Sequence, residues 1–425
     1  MKNSLFHAGR ALRYRNFRLF FMGQGISLVG TWMTRMATGW LVYRLTGSAF
    51  LLGIVGFAGQ IVPFLLQPLA GAWVERMDRR KLLIRTQAAA AIQSFVLAAL
   101  TLSHIITIWE IIALSAVQGL VNAFDAPGRH SFFIQMIEDR NYIGNAIALN
   151  STMVNGARLL GPALAGVTIG LVGEGGCFLI DGISYVAVVA SLLMMKIKPV
   201  ETAHTADNLF RQVREGWDYV RGFSPLRTIL VLFAVVSLMG YPYMVLLPVF
   251  ASQVFHGGPY ALGWLTAASG LGALVSALSL AFRKSVVGLT RMIQMSSATL
   301  GVALILFGFS RQFALSLVLM GFAGFGMMQS ASASSTVIQT LVPEDKRARV
   351  ISYYAMAYFG AAPIGSLLAG ALAQKIGAAG TIIITGTFCL VGSLWFSLQM
   401  PKIGTVMRPI YREMGLCPNN PDKEQ

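Results

Sequence analysis

The chain has 425 residues, 55% of them hydrophobic and only 12% charged, with a formal net charge of +16 and a mean hydropathy of +0.65. Soluble domains carry roughly 25% charged residues, so this composition excludes a water-covered globular protein. It directs the basic excess to the connecting segments of a membrane protein rather than to nucleic acid.

Stretches without Asp, Glu, Lys or Arg fill the chain: 86–109, 228–282, 292–310, 313–343, 350–374 and 376–401. Backbone polar groups in lipid must be satisfied internally, so such runs are helices or closed barrels. They show no alternation of polar and apolar residues, which selects helices. An all-α membrane protein with twelve transmembrane helices is predicted near 17–45, 49–75, 82–104, 107–128, 141–172, 176–196, 226–254, 259–282, 288–309, 313–341, 347–374 and 379–400. The first of these is too long for a signal-peptide core and is taken as a retained helix. The boundaries predict a six-helix bundle over 1–196, a cytoplasmic linker over 197–225, a second bundle over 226–400 and a cytoplasmic tail over 401–425. In the linker, Leu209, Val213, Trp217 and Val220 fall at helical spacing, which predicts an amphipathic helix on the membrane surface.

With the N-terminus inside, the cytoplasmic segments hold twenty-eight Lys and Arg residues and the outer ones only Arg44, Arg311 and Lys375. That asymmetry places both termini in the cytoplasm and the chain in a cell (inner) membrane. The two halves also echo one another. Gly156, Gly161 and Gly166 return at Gly360, Gly365 and Gly370, each displaced by 204 residues, as expected of parallel six-helix repeats. Arg158 has Ala362 as its equivalent.

Gly71-Ala-Trp-Val-Glu-Arg-Met-Asp-Arg-Arg-Lys81, between helices two and three, resembles the major facilitator superfamily signature G-x-x-x-D-R-x-G-R-R-x. Gly71, Arg76, Arg79 and Arg80 match, whereas Glu75 and Asp78 depart from it. Gly156, Gly161, Pro162 and Gly166 resemble the fifth-helix antiporter signature, with Ala157 and Ala165 replacing two of its glycines. The segments 15–18, 40–47, 123–129 and 144–151 are similar to the bacterial branch that includes enterobactin exporters, of transmembrane secretion effector type. The resemblance implies a secondary transporter whose halves rock around a central site, and a cytoplasmic gate built from Gly71, Glu75, Arg76, Asp78, Arg79, Arg80 and Arg129. The sequence departs from the superfamily at Ser115, where a fourth-helix Arg is usual, and in helix one, which holds Arg35 and no acid.

Several residues invite chemistry. An ionised side chain inside a membrane costs at least about 2.5–3.5 kcal/mol on insertion scales, so it faces a cavity or a partner. Arg35 and Arg158 are therefore candidates for an anion or hydrogen-bonding site, or else for structural pairs with a neighbouring acid. Ser151, Asn155 and Arg158 share a helix face by spacing. Gln24, Gln118, Asn122, Tyr241, Tyr243, Gln329, Tyr354 and Tyr358 supply polar and aromatic walls that suit an amphipathic small molecule, or join helices by hydrogen bonds. Asp181 and Asp125 are the proton-coupling candidates; Asp125, four residues before Arg129, equally suits a gate or a local pair. Glu75 is expected to pair with Arg129 or to cap a helix, and Gly161-Pro162 to bend helix five.

No metal site or cofactor is expected: Cys177, Cys389 and Cys417 are isolated, the five histidines are scattered, and no G-x-x-x-x-G-K-[ST] loop exists. The sequence thus predicts an exporter of a small organic molecule, a siderophore or drug-like amphiphile, with a proton as the candidate coupling ion and lipid as its solvent. Import of a nutrient, lipid flipping and, more remotely, a membrane-embedded enzyme are the alternatives.

Overall fold

The computed structural model describes residues 10–75, 77–133, 136, 142–195, 217–283 and 285–415. Arg76, most of the linker (196–216) and the end of the tail (416–425) lie outside the described residues, as do the side chains of Gly71 and Glu75.

Among the described residues the chain is helical without strands. A short 3-10 turn, Arg10–Arg13, leads into α1 (Arg15–Thr46), α2 (Ala49–Glu75), α3 (Arg79–Leu102) and α4 (Ile108–Phe133). The continuous helix Ile143–Met194 departs from helical geometry at Gly173 (φ 78°), which divides it into α5 (143–172) and α6 (174–194). Next is α7, which starts as Ser224–Val235 and continues through π turns at Val236–Gly240 and Phe250–Val254. Then come α8 (Gly258–Ala281), α9 (Leu289–Phe309) and α10 (Phe313–Leu341). Glu344–Glu413 departs from helical geometry at Gly377 (φ 80°), giving α11 (344–376) and α12 (378–413).

Positive φ is strained for any residue with a Cβ, so both reversals fall on glycine. Gly173 and Gly377 stand 204 residues apart, the offset of the glycine ladder. Local chemistry fixes other ends. Gly47, in the left-handed region, closes α1 by donating to the Tyr43 carbonyl. Asp78 caps α3 by accepting from the Arg80 and Lys81 amides at 3.0 and 3.2 Å.

The chain clusters into two compact units, Met1–Thr205 with Val245–Gly270, and Ala206–Met244 with Leu271–Gln425. In the first unit the helices meet on small residues, as membrane helices do where no hydrophobic force separates protein from lipid. A Cβ on Gly166 would sit 3.0 Å from the Pro259 carbonyl and 3.2 Å from Gly263 Cα, and one on Gly270 would sit 2.8 Å from the Arg158 carbonyl. These backbone approaches dock the start of α8 on α5 and explain why Val245–Gly270 belongs to this unit. One end of the unit holds an apolar cluster of Phe17, Phe20, Leu83, Phe132, Phe133, Met136 and Leu192, with Phe17 and Phe133 edge to face at 5.7 Å. Asn145 secures the N-terminal turn there by accepting from the Ala11 amide at 3.0 Å.

Gly161-Pro162 lies within the continuous helix α5, since Gly173 alone in 143–194 leaves helical φ/ψ. One expectation changes in detail. The last helix does not stop near 400 but runs through Pro401 to Glu413. Ile403, Met407 and Tyr411 recur every fourth residue and are buried, a stripe that outweighs the proline. Of the linker, 217–222 are helical; Val220 is buried, Trp217 meets Tyr353 at 5.9 Å, and Lys346 Nζ lies 4.7 Å over Tyr219.

Candidate functional site

In the first unit, Gln24, Leu28 and Thr31 of α1, Gln87 and Ala90 of α3, Gln118, Val121, Asn122, Asp125 and Arg129 of α4, and Tyr185 of α6 line one polar cavity of about 40 Å³. That holds a few waters and no organic ligand. Asp125 is buried at its edge. One carboxylate oxygen accepts from Thr86 Oγ1 at 3.0 Å and Gln87 Nε2 at 2.8 Å, and the other is ion-paired with Arg129 one turn along α4. Arg129 is thus held by its own helix, as an i, i+4 pair needs no rearrangement to meet; the pairing expected of Glu75 falls on a side chain outside the described residues. Gln118 reaches Asn122 Oδ1 and the Tyr185 hydroxyl at 3.4 and 3.5 Å, and Thr31 meets that hydroxyl at 3.1 Å.

Arg35 and Arg158 converge on one residue that the sequence did not flag. The Arg35 guanidinium carbon lies 4.9 Å and that of Arg158 5.4 Å from the centre of the Trp32 ring. The two charges are thus within about 10 Å of each other. At an effective dielectric of about 20 their repulsion is on the order of 1–2 kcal/mol, comparable to what cation–π contacts return. Trp32 is positioned by Gly161, whose absent side chain lets α5 close on the Trp32 Cβ and the Val29 carbonyl. The corresponding Gly365 of α11 closes on the Leu238 carbonyl and Pro242 of α7. Gly161 and Gly365 therefore each seat the fifth helix of a repeat on its first helix. Gly156 does not share this role: nothing lies within 4 Å of a Cβ built there.

Of the residues sharing Arg158's face, Ser151 is exposed, whereas Asn155 is buried and donates to the Ser151 carbonyl at 2.9 Å. Asp181 is buried apart from this pair. Its carboxylate accepts from Ser94 at 3.2 Å and Ser184 at 3.5 Å, against the Gly30 backbone of α1. In the region resembling the gate, Arg80 reaches from the first turn of α3 to helix α6, its Nε and terminal nitrogen donating to the Leu192 and Leu193 carbonyls at 2.9 and 2.8 Å. It thereby caps carbonyls that the last turn leaves open. Arg79 is half-buried at the first turn of α3.

In the second unit, Tyr354 and Tyr358 stack on Phe233 at 4.5 and 5.5 Å, and Tyr241 meets Tyr358 edge-on at 6.1 Å. Tyr354 also donates to the Ala331 carbonyl at 2.8 Å, and Tyr243 is buried. Gln329 is fully buried, accepts from Ser276 and Ser279 at 2.6 and 3.1 Å, and approaches Met292 Sδ at 3.0 Å. Its amide ties α8, α9 and α10 together.

Sequence reasoning missed Glu174, which is buried and holds Arg44 by two hydrogen bonds. A lone acid beside a helix-breaking glycine, with Arg44 the nearest basic residue in the outer segments, was the available signal. It also missed Thr86 and Gln87, which carry no charge and differ from ordinary helix residues only through the Asp125 they face.

Three comparisons place this architecture. The model of the transmembrane secretion effector family matches residues 8–410. The staphyloferrin A transporter of Staphylococcus aureus is 26% identical over 91% of this chain and 97% of its own length. The multidrug efflux pump Tap of Mycolicibacterium fortuitum is 27% identical over 91% and 94%. A bacterial homologue of the human lysosomal transporter Spinster shares the fold with a TM-score of 0.71 at 13% identity, over 92% of this chain and 98% of that one. These are transporters and not enzymes, and nine helical segments among the described residues are long and apolar enough to cross a bilayer. The chain belongs to the transmembrane secretion effector family of the major facilitator transporters, a multi-pass membrane protein whose described residues form twelve long helices in two related halves.

Proposed function

We propose that the protein is a secondary exporter of a small organic molecule in a bacterial cytoplasmic membrane, with both termini inside, working by alternating access. The observation that carries this reading is the gathering of Arg35 and Arg158 on Trp32 within otherwise apolar helices, since ionisable residues inside a membrane mark substrate pathways by default. The efflux and siderophore relatives supply the class of cargo. Arg35, Arg158 and Asn155 in the first unit are the residues assigned to the ligand. Gln118 and Asn122 line the small polar cavity and serve as hydrogen-bonding support. Gln329 is assigned to helix packing instead.

Asp181 is the proposed proton carrier, being a buried acid whose carboxylate accepts from the Ser94 and Ser184 hydroxyls. Asp125 with Arg129, and Asp78 with Arg80, are the proposed elements of a cytoplasmic gate. The loop charges bias a two-state element of this kind. The test is an accumulation and growth assay of a deletion strain against siderophores and toxic amphiphiles, repeated with a protonophore. Raised accumulation on deletion, mimicked by the protonophore, is expected. Lowered accumulation would indicate the import reading.

A further inference from the structure

The spacing of exposed residues on α1 and α5 settles which way the two buried-span arginines look. Ile26 is 59% and Val167 47% exposed, and each stands nine residues from an arginine, Ile26 before Arg35 and Val167 after Arg158. Nine residues are two and a half turns of a helix, so each apolar, outward residue lies diametrically opposite its arginine. Leu160 and Leu164 continue the outward stripe on α5, and Met22 that on α1. On the other face of α1, Gln24, Leu28 and Thr31 line the polar cavity, and Arg35 stands one turn beyond Thr31 on that same stripe. Arg35 is nonetheless exposed. Exposed and turned from the outward apolar stripe, it is open to a ligand from the side that carries the polar residues of α1.

The chemistry of this cluster is specific. Of 33 Lys and Arg, Arg35 and Arg158 are the two that the connecting segments do not account for. Both are guanidiniums, planar forks that bind carboxylates bidentately and lie flat on aromatic rings. Trp32, which both guanidiniums approach, adds an apolar, polarisable body beside the two charges.

We propose that Arg35, Trp32 and Arg158 form the substrate-selecting element, and that the cargo is a carboxylate-bearing molecule with a planar or apolar body, rather than a cation. This rests on the transport reading above and narrows its substrate class. The cluster selects by charge, and its loss relaxes that selection.

The test uses the full chain in proteoliposomes of zwitterionic lipid, so that no anionic headgroup competes for the cluster. Two dyes share a xanthene core and differ in charge: carboxyfluorescein and rhodamine 6G. The wild-type protein is expected to move carboxyfluorescein in preference. R35Q and R158Q should each lower that flux by about tenfold, the worth of one charge-assisted contact, while rhodamine 6G flux stays level or rises. R35K, keeping the charge without the fork, should fall between. R35Q is the secure variant because Arg35 is exposed and its loss strands no buried partner. Wild-type flux of carboxyfluorescein through R35Q and R158Q overturns the proposal, as does a wild-type protein that moves only rhodamine 6G; either leaves the transport reading standing. A wild-type protein that moves neither dye, in either direction, overturns both.

Discussion

Arg44 and Glu174 join α1 to the start of α6 through two hydrogen bonds, 2.7 and 3.1 Å long, immediately after the Gly173 reversal. The pair is unequal, for Glu174 is buried while the Arg44 side chain is 50% exposed. Arg44→Met strands a carboxylate, whereas Glu174→Gln releases a guanidinium to water. Arg44→Met should therefore lower stability by about 1–3 kcal/mol, after discounting for the exposed arginine, and Glu174→Gln by less. Thermal unfolding in detergent at one fixed scan rate checks the order, and equal losses would contradict it.

The glycine ladder separates into positions with different duties. Gly161→Ala drives a methyl into Trp32 and the Val29 carbonyl, and Gly365→Ala one into the Leu238 carbonyl. Overpacking of this kind costs about 1–3 kcal/mol. Gly156→Ala meets open space and should be neutral or stabilising by up to about 1 kcal/mol from helix propensity. Yield of monodisperse protein and thermal midpoints of the three variants read this directly.

Removing either member of the Asp125–Arg129 pair should have distinct outcomes. Arg129→Ala leaves the buried carboxylate with Thr86 and Gln87 alone. Asp125→Asn keeps an acceptor for those two groups and lets Arg129 turn outward. A loss of about 3 kcal/mol is expected for Arg129→Ala, the lower end for a broken buried pair, with Asp125→Asn milder. The Asp125→Asn, Arg129→Ala double variant should recover part of the loss, and a double-variant cycle measures it.

Arg80 offers a local readout. Arg80→Ala frees the Leu192 and Leu193 carbonyls and should cost about 1 kcal/mol at that helix end. Hydrogen exchange should quicken in the last turn of α6, with little change in α5. Lysine should restore the charge but not the two-pronged contact.

Periodicity and charge made the helices legible, because lipid leaves a charge-free run few options. The repeat was legible because Gly161 and Gly365 answer one geometric demand, the close seating of a fifth helix on a first. The π turns of α7 and the extension to Glu413 were not, since both depend on packing partners that no local window contains. In the site, Arg35 and Arg158 stood out as charges out of place. Trp32 did not, because a tryptophan in a membrane helix is ordinary until two guanidiniums lie on it. Asp125 was legible as a local partner of Arg129 from their four-residue spacing, while its bonds to Thr86 and Gln87 required knowing that α3 and α4 are neighbours.

The direction of transport is the claim on which the account turns, and paired vesicle preparations measure it. Everted membrane vesicles carrying the protein, energised with an acid interior, should accumulate carboxyfluorescein, and right-side-out vesicles should exclude it. A protonophore should abolish the difference. Accumulation in right-side-out vesicles with none in everted ones would contradict the account and assign the protein to import.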